Sequence, residues 1–539
     1  MMNRRDFIAI GSVAGAAFGV GIWPKMAQAQ EASDTLTIAL AARAPNGLNP
    51  QQSSLSGADD WSVLNVFDRL VANPEGRWAV RPEEFEPAIA ESWSSSSDAR
   101  EWTYRLRSGV RFHKGYGEVT ADDVVFTFAR HLDPKIVTRY KLYYANIASV
   151  EALDAMTVRF ILKRPDPLFN GSCASQLTAS ILCRKAFEEK GDNFTYDAIG
   201  TGPYQLDGIE RGRAVRLAAF PEHFRGPPVT GNIYVSFIAD STSRTFAFVS
   251  GEVDMIEGVR SPGWQQTMKL RTPGTIFDMT APGSFNTLSL SLNRKPLDDL
   301  RVRQAIRHAI DNRSLAKAFG DLATPMVGII APQFAGSVAE SDLPPELQYS
   351  HDPDRSRALL AEAGFTQGLT IPCYASQRED YAGLMIMVQE QLRQAGIHLD
   401  MRIIDHSTFH ADNRQDKNSI VLNSSSFPPV PTMPFLRLLA SRAEVKADGS
   451  GQENYSHYGV AIDGIDPLLE QAEDEPDFDR RMELMQEVER KVLSDLPMLG
   501  IVTLSYVIAR NPRVDLGFNV ESGTPNWSLA KARRVSQGA

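Results

Sequence analysis

"LTIPCYASQREDYAGLMIMVQEQLRQAGIHLDMRII", Leu369 to Ile404, decides what kind of chain this is. "LTIPCYA" reads as a strand, with Pro372 marking an edge or a bulge. "DYAGLMIMVQEQLRQAG" then sets Tyr381, Leu384, Met385, Val388 and Leu392 on one helical stripe and ends at Gly396. "IHLDMRII" alternates Ile397, Leu399, Met401 and Ile403, a second strand. Strand, helix and strand in that order form a βαβ unit, expected to be parallel and right-handed. The class is α/β, and the methionine-rich stripe reads as core.

The same grammar continues on both sides. In "HDPDRSRALLAEAGF", Asp352 is the helix cap, Pro353 the first helical residue and Gly364 the terminator. "DFDRRMELMQEVERKVLSDLP" carries Phe478, Met482, Met485, Val488 and Val492 and stops before Pro497. The apolar run after it, "MLGIVTLSYVI", suits a strand buried on both faces. Nearer the N-terminus, "EWTYRLRSGVRF" alternates Trp102, Tyr104 and Leu106 against Thr103, Arg105 and Arg107, turning at Ser108-Gly109. "TADDVVFTFARHL" follows as a helix capped by Thr120, with Asp122 and Asp123 in the turn where the helix dipole favours negative charge.

The chain has 539 residues, which suggests two to three domains. Arg4-Arg5, a glycine-broken apolar run from Ile8 to Ile22, and Ala27-Gln28-Ala29 read as a cleavable secretory signal over residues 1–29, with the arginine pair pointing to the twin-arginine route. The run is too short and too weakly apolar for a membrane anchor. No cysteine follows it to carry a lipid. Removing Arg4, Arg5, Lys25 and Asp6 takes the net charge from −10 to −12. An acidic surface argues against nucleic acid as a partner. Of the three cysteines, Cys173 and Cys183 either pair across a short loop or stay unbonded with Cys373.

Motifs for catalysis are missing: G-x-S-x-G, the P-loop, G-x-G-x-x-G, H-E-x-x-H and C-x-x-C do not occur. His406 and His410, flanked by Asp405 and Asp412, are the nearest approach to a metal cluster. They read instead as an exposed helix start capped by Asp405 or Ser407. No cofactor, metal or catalytic residue is expected.

Several segments, in order from about residue 48 to 510, resemble the extracellular solute-binding proteins of family 5, the peptide- and nickel-type receptors of ABC importers. They are "LNP" (Leu48–Pro50), "NVFDRLV" (Asn65–Val71), "PAIAESW" (Pro87–Trp93), "WTYRLRSGVRFHKG", "VTADDVVFTFAR", "GTGPY" (Gly200–Tyr204), "SGEVD" (Ser250–Asp254), "LSLNRKPLDDLRVRQAIRHAIDNRSL" (Leu290–Leu315) and "DPDRSRALLAEAGF". "LNP" and "NVFDRLV" look like that family's first strand exit and first helix. Read locally, "GTGPY" is a tight structural bend. In the 290–315 stretch Val302, Ala305, Ile306, Ala309 and Ile310 make a core stripe, and Arg301, Arg303 and Arg307 a solvated face.

The resemblance implies a two-lobed periplasmic-binding-protein fold, type II and cluster C, with an extra domain inserted in the first lobe. Lobe I would comprise 30–71, 201–285 and 500–539, the inserted domain 72–200, and lobe II 286–499. Closure of the lobes over a guest would be read by the permease and ATPase subunits of an importer. The receptor would be a free, non-lipidated periplasmic monomer without a cofactor.

In peptide-binding members an aspartate of the second lobe pairs with the guest's amino group. The corresponding segment here, "IVLNSSSFPPVPTMPF" (Ile420–Phe435), has no acid, nor does all of 417–443. Enclosing an ammonium without an anionic partner costs several kcal/mol, and each ~1.4 kcal/mol is tenfold in affinity. Ordinary free-amine peptides are thus disfavoured unless another carboxylate substitutes. Ser424, Ser425 and Ser426 either bond a neutral polar group, with Phe427 as an apolar wall, or form an exposed loop.

"YASQREDY" matches a pocket-lining position of the family. Arg378 either grips a guest carboxylate or pairs at the surface with Glu379 or Asp380. Tyr374, Gln377 and Tyr381 are its candidate companions. In the first lobe Asp59, Asp60 and Trp61 fall where the family places ligand contacts, although Trp61 equally suits a core plug. The favoured guest is a small polar, carboxylate-bearing, peptide-like or opine-like solute. The alternatives are an ordinary di- or oligopeptide receptor, a periplasmic hydrolase, and a subunit presenting a guest to a membrane sensor.

Overall fold

A computed structural model describes residues 34–535 apart from positions 43, 46, 53–59, 137, 139–140, 431 and 525–526. The signal segment and Asp59 lie outside the described residues. The fold is α/β, and its buried side chains gather into two large cores and a third beside the second. The first core runs from Leu36 to Val235 and is completed by Ile508 to Ala532. The second runs from Leu288 to Val507. The third joins Phe285, Phe334, Phe427 and Phe435 to the helix Phe478–Asp495.

One nine-stranded sheet serves both sides. Its order is Ile420–Ser425, Ile276–Leu290, Met498–Arg510, Met255–Glu257, Thr35–Leu40, Asn232–Phe237, Ala214–Ala219 and Tyr204–Glu210, with Ala323–Pro325 added alongside Met498–Arg510. The two long strands, Ile276–Leu290 and Met498–Arg510, run antiparallel along nearly their whole length, from Ile276 opposite Arg510 to Ser289 opposite Met498. At one end the second of them pairs with Met255–Glu257; at the other end the first pairs with Ile420–Ser425. They are the two passages of the chain between the halves. Near the middle the register slips: Thr280 faces Tyr506 and Ser284 faces Leu504, so Ala281–Gly283 bulge opposite Ser505. Gly283 has φ +65, and a Cβ there would lie 2.2 Å from the Leu504 carbonyl oxygen. Only glycine fits that bend.

The βαβ unit has the expected form. Leu369–Ser376 and Ile397–Ile404 pair in parallel around the helix Glu379–Gln394, whose Tyr381, Leu384, Met385, Val388 and Leu392 are buried. Asp352 accepts the Arg355 N–H at 2.8 Å, capping Pro353–Glu362. The Thr120 N–H donates back to Asp123 at 3.0 Å, opening the helix Ala121–Leu132. Ala90–Ser95, Glu101–Leu106, Thr157–Leu162 and Ile147–Asp154 form a separate four-stranded sheet on the first core.

Three expectations need correction or completion. The first helix is Asp60–Val66 rather than Asn65–Val71. It ends early because the Val66 carbonyl accepts the N–H of Gly202 (2.9 Å) from the "GTGPY" bend. A Cβ on Gly200 would lie 2.0 Å from that same oxygen, so the glycines let two backbones touch. Arg303 and Arg307 are buried, not solvated. Arg303 donates to the carbonyls of Asp495, Leu297 and Asp298 (2.8–3.0 Å), acting as a backbone cap, whereas Arg301 stays outside with Asp299. The cysteine alternatives resolve to three buried, unbonded thiols. Cys183 Sγ accepts the Ala186 N–H at the start of a helix.

His457 is buried with φ +59, and both ring nitrogens face carboxylates, Nδ1 to Glu444 at 2.9 Å and Nε2 to Asp416 at 3.1 Å. Burial alone would lower its pKa, but the two carboxylates outweigh burial and raise it. Such a group stabilises the fold fully below its unfolded value near 6.5, and that contribution fades as pH rises through the raised native value. Urea denaturation at about pH 6 and about pH 9 should therefore show a loss of stability that His457→Gln flattens. Gly200→Ala should cost about 2 kcal/mol or more in the same assay, through overpacking against Val66.

Candidate functional site

Arg260 follows the strand Met255–Glu257 on the side of the first core. Its Nη1 donates to Ser284 Oγ at 2.8 Å and to the Leu504 carbonyl at 3.4 Å, one on each long strand. Its guanidinium carbon lies 4.6 Å from the Tyr506 ring centroid. Its Nη2 reaches across to Asp380 Oδ2 at 2.9 Å, in the first turn of the helix Glu379–Gln394 on the other side. Asp380, with 9 % of its side chain exposed, also accepts from Arg378, Nε to Oδ1 and Nη2 to Oδ2, both at 3.1 Å. One buried carboxylate thus holds two guanidiniums, one from each half of the molecule.

Within this trio one positive charge is unbalanced. Arg378 gives Nε and Nη2 to Asp380, and 52 % of its side chain is exposed. A planar guanidinium gripped along one edge presents its remaining donors outward in a fixed direction, the geometry suited to a carboxylate. Behind it, Ser376 Oγ lies 2.8 Å from His406 Nδ1, and His406 and His410 meet edge to face at 4.5 Å. Burial pushes His410 down to about 4, with His406 beside it adding to the effect. Burial, and then the Arg378 charge, also lower His406. Both shifts favour the neutral imidazole beside the arginine. Tyr381, pushed up to about 12 by burial with Asp380 adding, donates its hydroxyl to the Ser424 carbonyl at 3.2 Å. On the other side of the boundary, Glu257 accepts the Ala41 N–H at 2.9 Å, and Arg244 is locked onto the carbonyls of Glu257, Ile238 and Ala239.

The structure brings Arg378, Tyr381 and Ser424 together. Gln377 is exposed beside them and donates to Asp405 at 3.3 Å. Tyr374 is half-buried on the strand Leu369–Ser376, at the edge of the second core. Ser425 bonds Asn423 (2.8 Å), Ser426 is exposed, and Phe427 belongs to a different group, packed on Phe285 at 5.6 Å in the third core. Asp60 starts the first helix, and Trp61 is shut in the first core, 5.2 Å from Trp527. Of the two caps the sequence offers, Asp405 and Ser407, it is Asp405 that caps the helix His406–Arg414. Among the described residues no three His, Cys, Asp or Glu are gathered to hold a metal ion. Sequence reasoning missed Arg260, Ser284 and Tyr506. It weighed Asp380 only as a surface partner of Arg378, whereas it is a buried one.

Residues 84–446 match the family model described as bacterial extracellular solute-binding proteins, family 5, middle part. The glutathione-binding protein GsiB of Shigella flexneri is 31 % identical over 361 residues, which cover 66 % of this chain and 68 % of that protein. The dipeptide-binding protein of Escherichia coli is 29 % identical, covering 61 % and 64 %. Among solved structures, MoaA of A. tumefaciens R10 in complex with mannopinic acid superposes with a TM-score of 0.79 at 30 % identity, over 94 % of this chain and 100 % of that one. NikZ of Campylobacter jejuni, solved with Ni(L-His), shares the fold at 20 % identity and a TM-score of 0.77, covering 93 % and 100 %. The two-lobed α/β architecture is that of these periplasmic binding proteins.

Removing Asp380 strands two partly desolvated guanidiniums. Asp380→Ala should cost roughly 3 kcal/mol of stability. Arg378→Ala, which leaves the Arg260–Asp380 pair intact, should cost about 1 kcal/mol or less. Urea denaturation of the two variants checks the order.

Proposed function

The chain belongs to the bacterial extracellular solute-binding proteins of family 5, and from that premise we propose that its guest is a small, polar, carboxylate-bearing solute of the opine-like or peptide-like kind. It is the solute-binding protein of an ABC importer, a non-enzymatic transport receptor. The hydrolase alternative falls with that membership. No helix among the described residues is long and apolar enough to cross a membrane.

The observation that carries the choice of guest is Arg378, held from behind by buried Asp380, half-exposed at the boundary between the lobes and left with outward donors. The absence of any acid from 417 to 443 argues in the same direction, since a guest ammonium would find no partner there. MoaA, whose solved complex contains mannopinic acid, supports the opine-like class. The dipeptide-binding relative supports a second reading, an ordinary peptide guest with another carboxylate, such as Glu257, taking the amine.

In the proposed mechanism the two long strands are the hinge, and the Ala281–Gly283 bulge is where they yield. Lobe I is 30–71, 201–285 and 500–539, the inserted domain is 72–200, and lobe II is 286–499. The guest's carboxylate meets Arg378, with Tyr374, Gln377, Tyr381 and the Ser424–Ser426 hydroxyls lining the second lobe and Asp60 facing from the first, while Trp61 and Phe427 stay in the cores that hold them. The bound guest stabilises the shut form, which the permease reads. We further infer export by the twin-arginine route, cleavage after Ala29 and release as a non-lipidated monomer.

Intrinsic fluorescence titration with mannopinic acid, glutathione and a free dipeptide tests the guest class, alongside native mass spectrometry of the purified protein. Mannopinic acid should bind saturably and leave unchanged, and Arg378→Ala should weaken it about tenfold to a hundredfold, the loss of a charge-assisted contact. An undiminished affinity in that variant removes Arg378 from the site. Tight binding of the free dipeptide alone selects the second reading.

A further inference from the structure

A second set of contacts joins the two halves, and it shares no residue with the Arg378 site. Arg164, just beyond the four-stranded sheet, grips the C-terminal end of the helix Asp466–Asp474. Its Nε donates to Asp474 at 2.9 Å, Nη1 to Glu473 at 3.0 Å and Nη2 to the Glu470 carbonyl at 3.2 Å. Arg81 donates to Asp479 at 3.0 Å and lies 4.7 Å from the Phe478 ring centroid. Arg481 reaches back, to the Pro165 carbonyl at 3.4 Å and to Asp166 at 3.7 Å. Between these ion pairs Leu168 inserts into the third core, with Trp78 packed against it.

The groups in this rim are also held within their own halves. Arg481 donates to the carbonyls of Glu473 (2.6 Å) and Glu475 (3.1 Å). Asp166 accepts from Ser172 (2.7 Å) and the Leu168 N–H (2.9 Å). Arg81 keeps Glu83 at 2.8 Å, and Glu473 keeps Arg442 at 3.4 Å. Parting the rim therefore strands no buried charge: the Arg481 and Asp166 groups stay bonded at home, while Arg164, Asp474 and Asp479 are 36–71 % exposed already. Parting therefore costs chiefly the exposed ion pairs and the apolar contact of Leu168 and Trp78 with the third core. Pairs this exposed shift an equilibrium by a factor of roughly 1.5 to 5 each and are screened by salt.

We propose that this rim is a dissociable electrostatic latch, holding the 81 and 164–168 corner of the domain inserted in the first lobe to the 470–481 corner of the second lobe and making the shut fraction depend on ionic strength. It rests on the reading that the lobes part and join, but on no particular guest. The basic members sit on one lobe and the acidic ones on the other, apart from the inverted Arg481–Asp166 pair at the centre, which fixes the register of approach.

Small-angle X-ray scattering of the guest-free protein tests it. Between about 20 mM and about 0.5 M NaCl the open-to-shut ratio should rise several-fold. Arg164→Ala should raise it by about threefold to tenfold at low salt and reduce the salt dependence, and adding Asp474→Ala to that variant should change little more. Circular dichroism confirms that the variants are folded. Scattering that is the same at both salt concentrations and in Arg164→Ala overturns the latch. A failure of the guest panel would instead overturn the choice of guest, since no guest is present in this experiment.

Discussion

Everything in this molecule depends on two antiparallel strands long enough to belong to both halves. Ile276–Leu290 and Met498–Arg510 are bonded to each other almost from end to end, the second also to Met255–Glu257 at one end and the first to Ile420–Ser425 at the other. A ladder of backbone hydrogen bonds resists stretching and shear while tolerating twist and bend. The ladder thereby fixes the separation and register of the two halves. The bulge at Ala281–Gly283 interrupts that ladder near its middle.

The electrostatics follow from that arrangement. Arg260 is anchored to both strands through Ser284 and Leu504 before it meets Asp380, so its guanidinium is aimed by the ladder itself. Asp380 in turn aims Arg378. The chain of contacts runs from Ser284 through Arg260 and Asp380 to the exposed arginine, and each step is a charge-assisted bond within 3.1 Å. The neutral imidazoles and phenol behind it supply packing and hydrogen bonds without competing for an anion. The ion pairs of the 164–168 corner are of another kind, numerous and individually weak, and they suit repeated making and breaking.

Local chemistry was legible in the sequence. The βαβ unit, the caps at Asp352 and Asp405, the stripe from Tyr381 to Leu392 and the doubly buried 498–510 strand all follow from spacing and turn residues. Arg378 and Tyr381 were legible as candidates because they lie three residues apart at one strand-to-helix junction. Arg260 was not, since its partner Asp380 is 120 residues away and nothing in "EGVRSPG" marks it. The misplaced first helix had a similar cause: its end is set by the Gly202 N–H, a contact made only in three dimensions. Arg303 and Arg307 read as a wet face because charge periodicity does not reveal free carbonyls nearby.

The three thiols carry a consequence for how the protein matures. Cys173, Cys183 and Cys373 are enclosed in the interior and joined to nothing, and burial raises all three pKa values, which suppresses the reactive thiolate. As far as disulfides go, its covalent structure is therefore complete when the last peptide bond is made. No oxidant, isomerase or change of compartment is needed to finish it. A reducing cytoplasm is as good a place as any for such a polypeptide to reach its final shape.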